Sequence, residues 1–161
     1  MMFIVRLHWI RHLKINLFKI LFNHTRKQAI VAYNFGMLSY RHAFHAGNHA
    51  DVLKHYMLSL VLDYMNQKDK PYWVIDTHAG AGMYSLKSGY ANQNAEFENG
   101  IAKLFNAKYL PESLASFVDI IKKYNGNNSL NFYPGSPSIA KHHLRHNDKL
   151  RLFELHPSDC K

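Results

Sequence analysis

The sequence predicts an α/β fold, half of a doubly wound parallel sheet, from three observations. A short apolar strand at residues 72–75 (YWVI) runs directly into a glycine turn at 76–82 (DTHAGAG). A second strand is expected at 149–155, with Glu154 near its carboxyl end. Between them Ser136 and Pro137 open a helix, the kind of crossover that a parallel pair needs. In such sheets a ligand sits outside the carboxyl ends of the strands, and an acidic residue ending the second strand bonds ribose hydroxyls. Gly80 and Gly82 lack a Cβ, so the chain there can turn sharply and approach a ligand closely. The acidic residue commonly follows the turn by about 20 residues. Here the interval from Gly82 to Glu154 is far longer, so an insertion is expected between the two strands.

Each element has a local cause. Residues 49–66 read as a helix, with Val52, Leu53, Tyr56, Met57, Leu60, Val61 and Tyr64 on one face at helical spacing. Asn48 is the expected N-cap, Asp51 makes the first turn acidic, and the polar run NQKDK ends the helix before Pro71. After the glycine turn comes a polar stretch, 85–98, then a short helix at 97–105 and another at 111–124. In the longer one Leu114, Phe117, Val118 and Ile121 face inward and Asn125-Gly126 is the stop. Together these make a helical insertion at about 85–130. Ser136 is expected to cap the connecting helix, with Pro137 at its first position, continuing through Ile139, Ala140 and Leu144.

The chain has 161 residues, 47% of them apolar, the length of one ordinary domain and enough to build a core. Its one cysteine, Cys160, excludes an internal disulfide and fits a reducing cytoplasm. The net charge of +9 points to a polyanionic partner, but the first 36 residues hold six basic residues and no acidic one. The body, 37–161, is therefore only mildly basic. Within 1–36, Phe3, Leu7, Ile10, Leu13, Leu17, Phe18, Leu21 and Phe22 fall near helical spacing among the basic residues, the pattern of a basic amphipathic helix. Charges break every apolar run before it reaches the length of a signal peptide core or a membrane span. We read residues 1–36 as an extension upstream of a start at Met37, where the organised pattern begins.

The run from Met37, MLSYRHAFHAGNHADVLKH, followed in order by DTHAGAG, YPGSP and ELHPSD, closely resembles the beginning of the RlmJ family of bacterial large-subunit ribosomal RNA methyltransferases. The resemblance covers residues 37–161. It implies a Rossmann-like class I methyltransferase fold, of which this is the N-terminal half, with a helical insertion after the first strand. It also implies S-adenosylmethionine as cofactor and methylation of the N(6) amino group of an adenine in 23S rRNA, free of protein or early in assembly, in the cytoplasm. Carried over by position, it implies cofactor contacts at Lys54, His55, His78, Ser136 and Glu154, to which the reading of the strand end and glycine turn adds Asp76 and Gly80. Tyr40 and Arg41 would meet the substrate RNA, the tyrosine by stacking on an extruded base. No metal and no membrane are expected, and the oligomeric state is left open.

Taken singly, the same residues have ordinary roles. Ser136 serves as a cap, Asp76 as a tie for the turn, His55 and His78 as surface or packing residues, Tyr40 as a core aromatic and Glu154 as a solvated carboxylate. The family places its catalytic aspartate in an Asp-Pro-Pro-Tyr motif after the fourth strand, and this sequence contains no Pro-Pro pair. No catalytic residue is therefore assigned. The chain is expected to be inactive alone, with an open edge on the strand at 72–75. One alternative is a noncatalytic RNA-binding fragment using Arg41, His42 and the basic N-terminus on phosphates. Another is a metal hydrolase at His45-Ala-Gly-Asn-His49, which the missing glutamate and the Gly47-Asn48 pair argue against.

Overall fold

Residues 2–5, 42–87, 95–126, 129–156 and 159 are described by the structure, a computed structural model. In chain order the elements are β1 (Met2–Val5), α1 (His49–Asn66), β2 (Trp73–Asp76), β3 (Met83–Ser85), α2 (Ile101–Phe105), α3 (Glu112–Asn125), β4 (Phe132–Pro134), α4 (Ser136–His143) and β5 (Lys149–Leu152). Single 3-10 turns lie at His42–Phe44 and Glu96–Asn99.

The strands β2 and β5 pair in parallel, Trp73 opposite Lys149 and Asp76 opposite Leu152, as the sequence leads one to expect. Hydrogen bonds continue past both strands: Phe153 N donates to Asp76 O at 2.9 Å and Ala79 N to Phe153 O at 3.1 Å. That extension draws the glycine turn alongside the residues following β5.

On its other side β2 pairs with β1, also parallel, in the register Met2 to Trp73 through Val5 to Asp76. This corrects two expectations, a helix over these residues and an open edge on the first strand. The physical reason is common to both. The run MFIV is apolar and ends in two β-branched residues, which favour a pleated strand. Pairing also satisfies the row of backbone groups that β2 would otherwise leave exposed. The remainder of the expected extension, 6–36, and the substrate-side pair Tyr40 and Arg41 lie outside the described residues.

Helix α1 starts and stops where the sequence places it, and Asn48 caps it by accepting from Asp51 N at 2.8 Å. Its inward face is different from the one expected. Buried are Asp51, Val52, His55, Leu58, Ser59, Leu62 and Met65, whereas Leu53, Met57, Val61 and Tyr64 are exposed. Three polar residues make the buried face less apolar than the solvent face, so hydrophobic periodicity selects the wrong side. The polar groups are matched: Ser59 Oγ bonds His143 Nε2 at 2.7 Å, and His143 Nδ1 stands 3.0 Å from Asp63. Helix α4 packs against α1 and β2, and Leu58, Leu62, Val74, Ile139 and Ala140 join in one core.

The insertion is helical, as expected, but it is interrupted. Gly100 separates the 3-10 turn from α2, and a Cβ there would overlap the Gly47 carbonyl oxygen. The close approach lets Ile101 N donate to Gly47 O at 2.9 Å, and Glu96 Oε2 accepts from Asn48 Nδ2 at 2.8 Å. In this way the insertion is tied to the loop preceding α1. Helix α3 buries Phe117, Val118, Ile120 and Ile121 and ends at Gly126 in a left-handed cap. A separate antiparallel pair, β3 with β4, sets Tyr84 opposite Tyr133.

Candidate cofactor-binding site

Asp76 ends β2 and is 7% exposed. Its Oδ1 accepts from His78 N at 3.0 Å and its Oδ2 from Ser136 Oγ at 2.6 Å. The expected capping role of Ser136 is corrected here: Gly135 is the N-cap of α4, and the Ser136 hydroxyl turns inward to Asp76. The magnitudes explain the choice. A buried hydrogen bond to a charged partner is worth roughly 1.5–3 kcal/mol, while a capping hydroxyl is typically worth about 1 kcal/mol.

Glu154 follows β5 and reaches the glycine turn. Its Oε2 accepts from Gly80 N at 2.7 Å and its Oε1 from His156 N at 2.7 Å. Residues far apart in sequence thus meet at the carboxyl ends of adjacent parallel strands. Gly80 has φ +62°, and a Cβ there would overlap the Tyr84 hydroxyl, which accepts from Ala81 N at 3.1 Å. At the far end of the turn Gly82 O accepts from Gly135 N at 2.8 Å and from Ser138 Oγ at 2.7 Å. The turn is thereby bound to β5 and α4. His78 projects from it, exposed, with Nδ1 3.0 Å from Thr77 Oγ1.

Lys54 and His55 belong to a neighbouring cluster around Asp51. Lys54 Nζ and His42 Nε2 each stand 3.1 Å from Asp51 Oδ1, and His55 Nε2 stands 3.9 Å away. Burial opposes ionisation of Asp51, but His55, His42 and Lys54 outweigh it and hold the carboxyl well below the usual range. His55 is 4% exposed, and Nδ1 shares a 3.0 Å hydrogen bond with Tyr133 Oη. Burial pushes its imidazole down to about 4 against the attraction of Asp51, so the ring is neutral at pH 7. The His42 ring lies 5.2 Å from the ring of Tyr84 and so links this cluster to the glycine turn.

Of the residues expected at a cofactor site, Asp76, His78, Gly80, Ser136 and Glu154 therefore gather at the strand ends. Lys54 and His55 lie one layer away on α1, His55 beneath the surface. Three residues that organise the site were assigned no site role from the sequence: Asp51, Tyr84 and Tyr133. Asp51 did carry a signal, since Asp51, Lys54 and His55 stand at i, i+3 and i+4 on one helical face. Tyr133 opens the YPGSP motif but was given no role there, and Tyr84 carried no signal, because its strand is only three residues long.

The family model described as "Ribosomal RNA large subunit methyltransferase D, RlmJ" matches residues 69–161. The chain belongs to the RlmJ family. Two curated relatives are named "Ribosomal RNA large subunit methyltransferase J". The one from Escherichia coli (strain K12) is 51% identical over 123 residues, 76% of this chain and 44% of that protein. The one from Haemophilus influenzae is 49% identical over 124 residues, with the same two shares. The chain thus spans less than half the length of these RlmJ relatives. A crystal structure of a protein from Legionella pneumophila str. Philadelphia 1 superposes with a TM-score of 0.66 at 41% identity, covering 71% of this chain and 42% of that one. The fold is accordingly part of a Rossmann-like methyltransferase fold, with the helical insertion following β2 and β3. Among the described residues no helix is long and apolar enough to cross a membrane, and no group of three or more His, Cys, Asp or Glu is arranged to hold a metal ion.

Proposed function

We propose that this RlmJ-family chain carries the cofactor side of an S-adenosylmethionine-dependent site that methylates the N(6) amine of an adenine in 23S rRNA. The observation that carries the reading is the meeting of the Glu154 carboxylate with the Gly80 amide, 2.7 Å apart at the carboxyl ends of two parallel strands. The residues present fit the cofactor. Glu154 brings a carboxylate to the end of the second strand, the acceptor type that vicinal ribose hydroxyls require. The turn at 78–82 offers a close backbone approach, and Asp76 and Ser136 hold it in shape. His78, exposed on that turn, would cover the methionine side, and Lys54 would bring a cation to it.

S-adenosylmethionine supplies an electrophilic methyl group when bound. The chain's own contribution is to bind and orient. The adenine amine is a poor nucleophile because its lone pair is delocalised, so a positioned acceptor is also required. No residue of this sequence is assigned that acceptor role, and the reading concerns cofactor binding. Tyr40 and Arg41 are proposed to meet the RNA. Titration calorimetry with S-adenosylmethionine tests the reading: saturable binding is expected, weakened about tenfold or more in Glu154→Gln, as loss of a charged acceptor requires. Absence of binding, or equal affinity in the variant, contradicts it.

A further inference from the structure

Asp51 is 1% exposed and sits in the first turn of α1, where a negative charge is favoured by the helix dipole. The dipole does not explain where its two oxygens go. Oδ2 accepts from Gly47 N at 3.1 Å and closes the loop that leads into the helix. Oδ1 points the other way, to Lys54 Nζ and His42 Nε2, both at 3.1 Å. Lys54 joins that oxygen as an ion pair, and His42 Nε2 lies within contact distance of the same oxygen. A helix-starting carboxylate needs only the first of these arrangements. A buried ion pair is a poor way to gain stability, because desolvation cancels most of the attraction. What the second arrangement does achieve is to fix two side chains from separate segments relative to each other. One of them, His42, rests against Tyr84, whose hydroxyl holds Ala81 N of the glycine turn.

We propose that Asp51 is a positioning residue: its buried carboxylate holds the Lys54 ammonium and the His42 imidazole in fixed relation to the glycine turn, so that the bound cofactor meets them already oriented. The proposal rests on the reading of that turn as the cofactor site. Asp51 acts through Lys54 and His42 and does not itself touch the ligand.

The test uses the whole chain as wild type, Asp51→Asn, Lys54→Met and the double variant, with two measurements. The first is the lysine ammonium signal in proton–nitrogen NMR, assigned by its loss in Lys54→Met. Asp51→Asn is expected to broaden that signal away by freeing the ammonium to exchange with water. The second is affinity for S-adenosylhomocysteine by calorimetry. Each single variant should bind about tenfold more weakly, as for loss of a charge-assisted contact, and the double variant should lose less than the product of the two single losses. A role confined to starting the helix predicts an unchanged ammonium signal and losses that multiply, and either result overturns the proposal. Asp51→Glu serves if Asp51→Asn does not fold: it keeps the charge but displaces it by a methylene, and positioning predicts that affinity still falls. If the wild type binds no S-adenosylhomocysteine, the cofactor reading fails, and the ammonium signal alone decides the role of Asp51.

Discussion

His55 shows how burial redefines a residue that motif matching selects. A histidine within a motif is an obvious ligand contact, yet this ring is enclosed between Tyr133 and Asp51. Its unfolded state takes up a proton near pH 6.5, and the folded ring does so only near 4. Between those values the unfolded state binds more protons, so stability falls as pH drops from 6.5 to 4, by up to about 1.4 kcal/mol per unit for this group. Urea midpoints measured across that window should decline, and His55→Gln should flatten the slope. Gly80 yields a second prediction at this scale. Gly80→Ala places a side chain at φ +62° against the Tyr84 hydroxyl, and the thermal midpoint should drop by the equivalent of about 1–3 kcal/mol. The cost should shrink in a Tyr84→Phe background, where the overlapping oxygen is gone. Asp76, Ser136 and Glu154 were legible as candidates, because ordered motifs mark them. The sequence did not reveal that the Ser136 hydroxyl turns to Asp76, since that depends on a carboxylate 60 positions away.

At the scale of elements, α1 separates what a pattern can state from what it cannot. Its cap and its limits follow from local chemistry and were legible. Its inward face was not, because Asp51, His55 and Ser59 are buried by virtue of partners on other elements. Substitution distinguishes the two faces. Leu62→Ala, in the core, should cost about 2–5 kcal/mol in thermal or urea unfolding. Leu53→Lys and Val61→Lys, on the exposed stripe, should change stability by no more than about 0.5 kcal/mol. The pair β3 and β4 escaped reading for another reason: three residues are too few for an alternation to register. Yet that short pair carries the two tyrosines that brace the glycine turn and His55.

For the molecule as a whole, the order of strand, turn, insertion, helix and strand was legible, and so was the parallel pairing of β2 with β5. The place of β1 was not, because four apolar residues within a charge-broken helical period satisfy either template. All three strands are parallel, an arrangement usually covered on both faces, yet Trp73, Leu152, Phe153 and Leu155 are exposed. Removing residues 1–5 should uncover the edge of β2 and raise light scattering on incubation, whereas scattering equal to that of the intact chain would show that β1 does not protect it. The central claim is that the place where Glu154 meets the glycine turn receives S-adenosylmethionine. Its most direct test is an amide NMR titration of the isotope-labelled chain with S-adenosylhomocysteine. Saturable shifts are predicted at residues 78–82, at Ser136 and at 154–156. Shifts confined to other elements, or none at saturating ligand, would contradict the account.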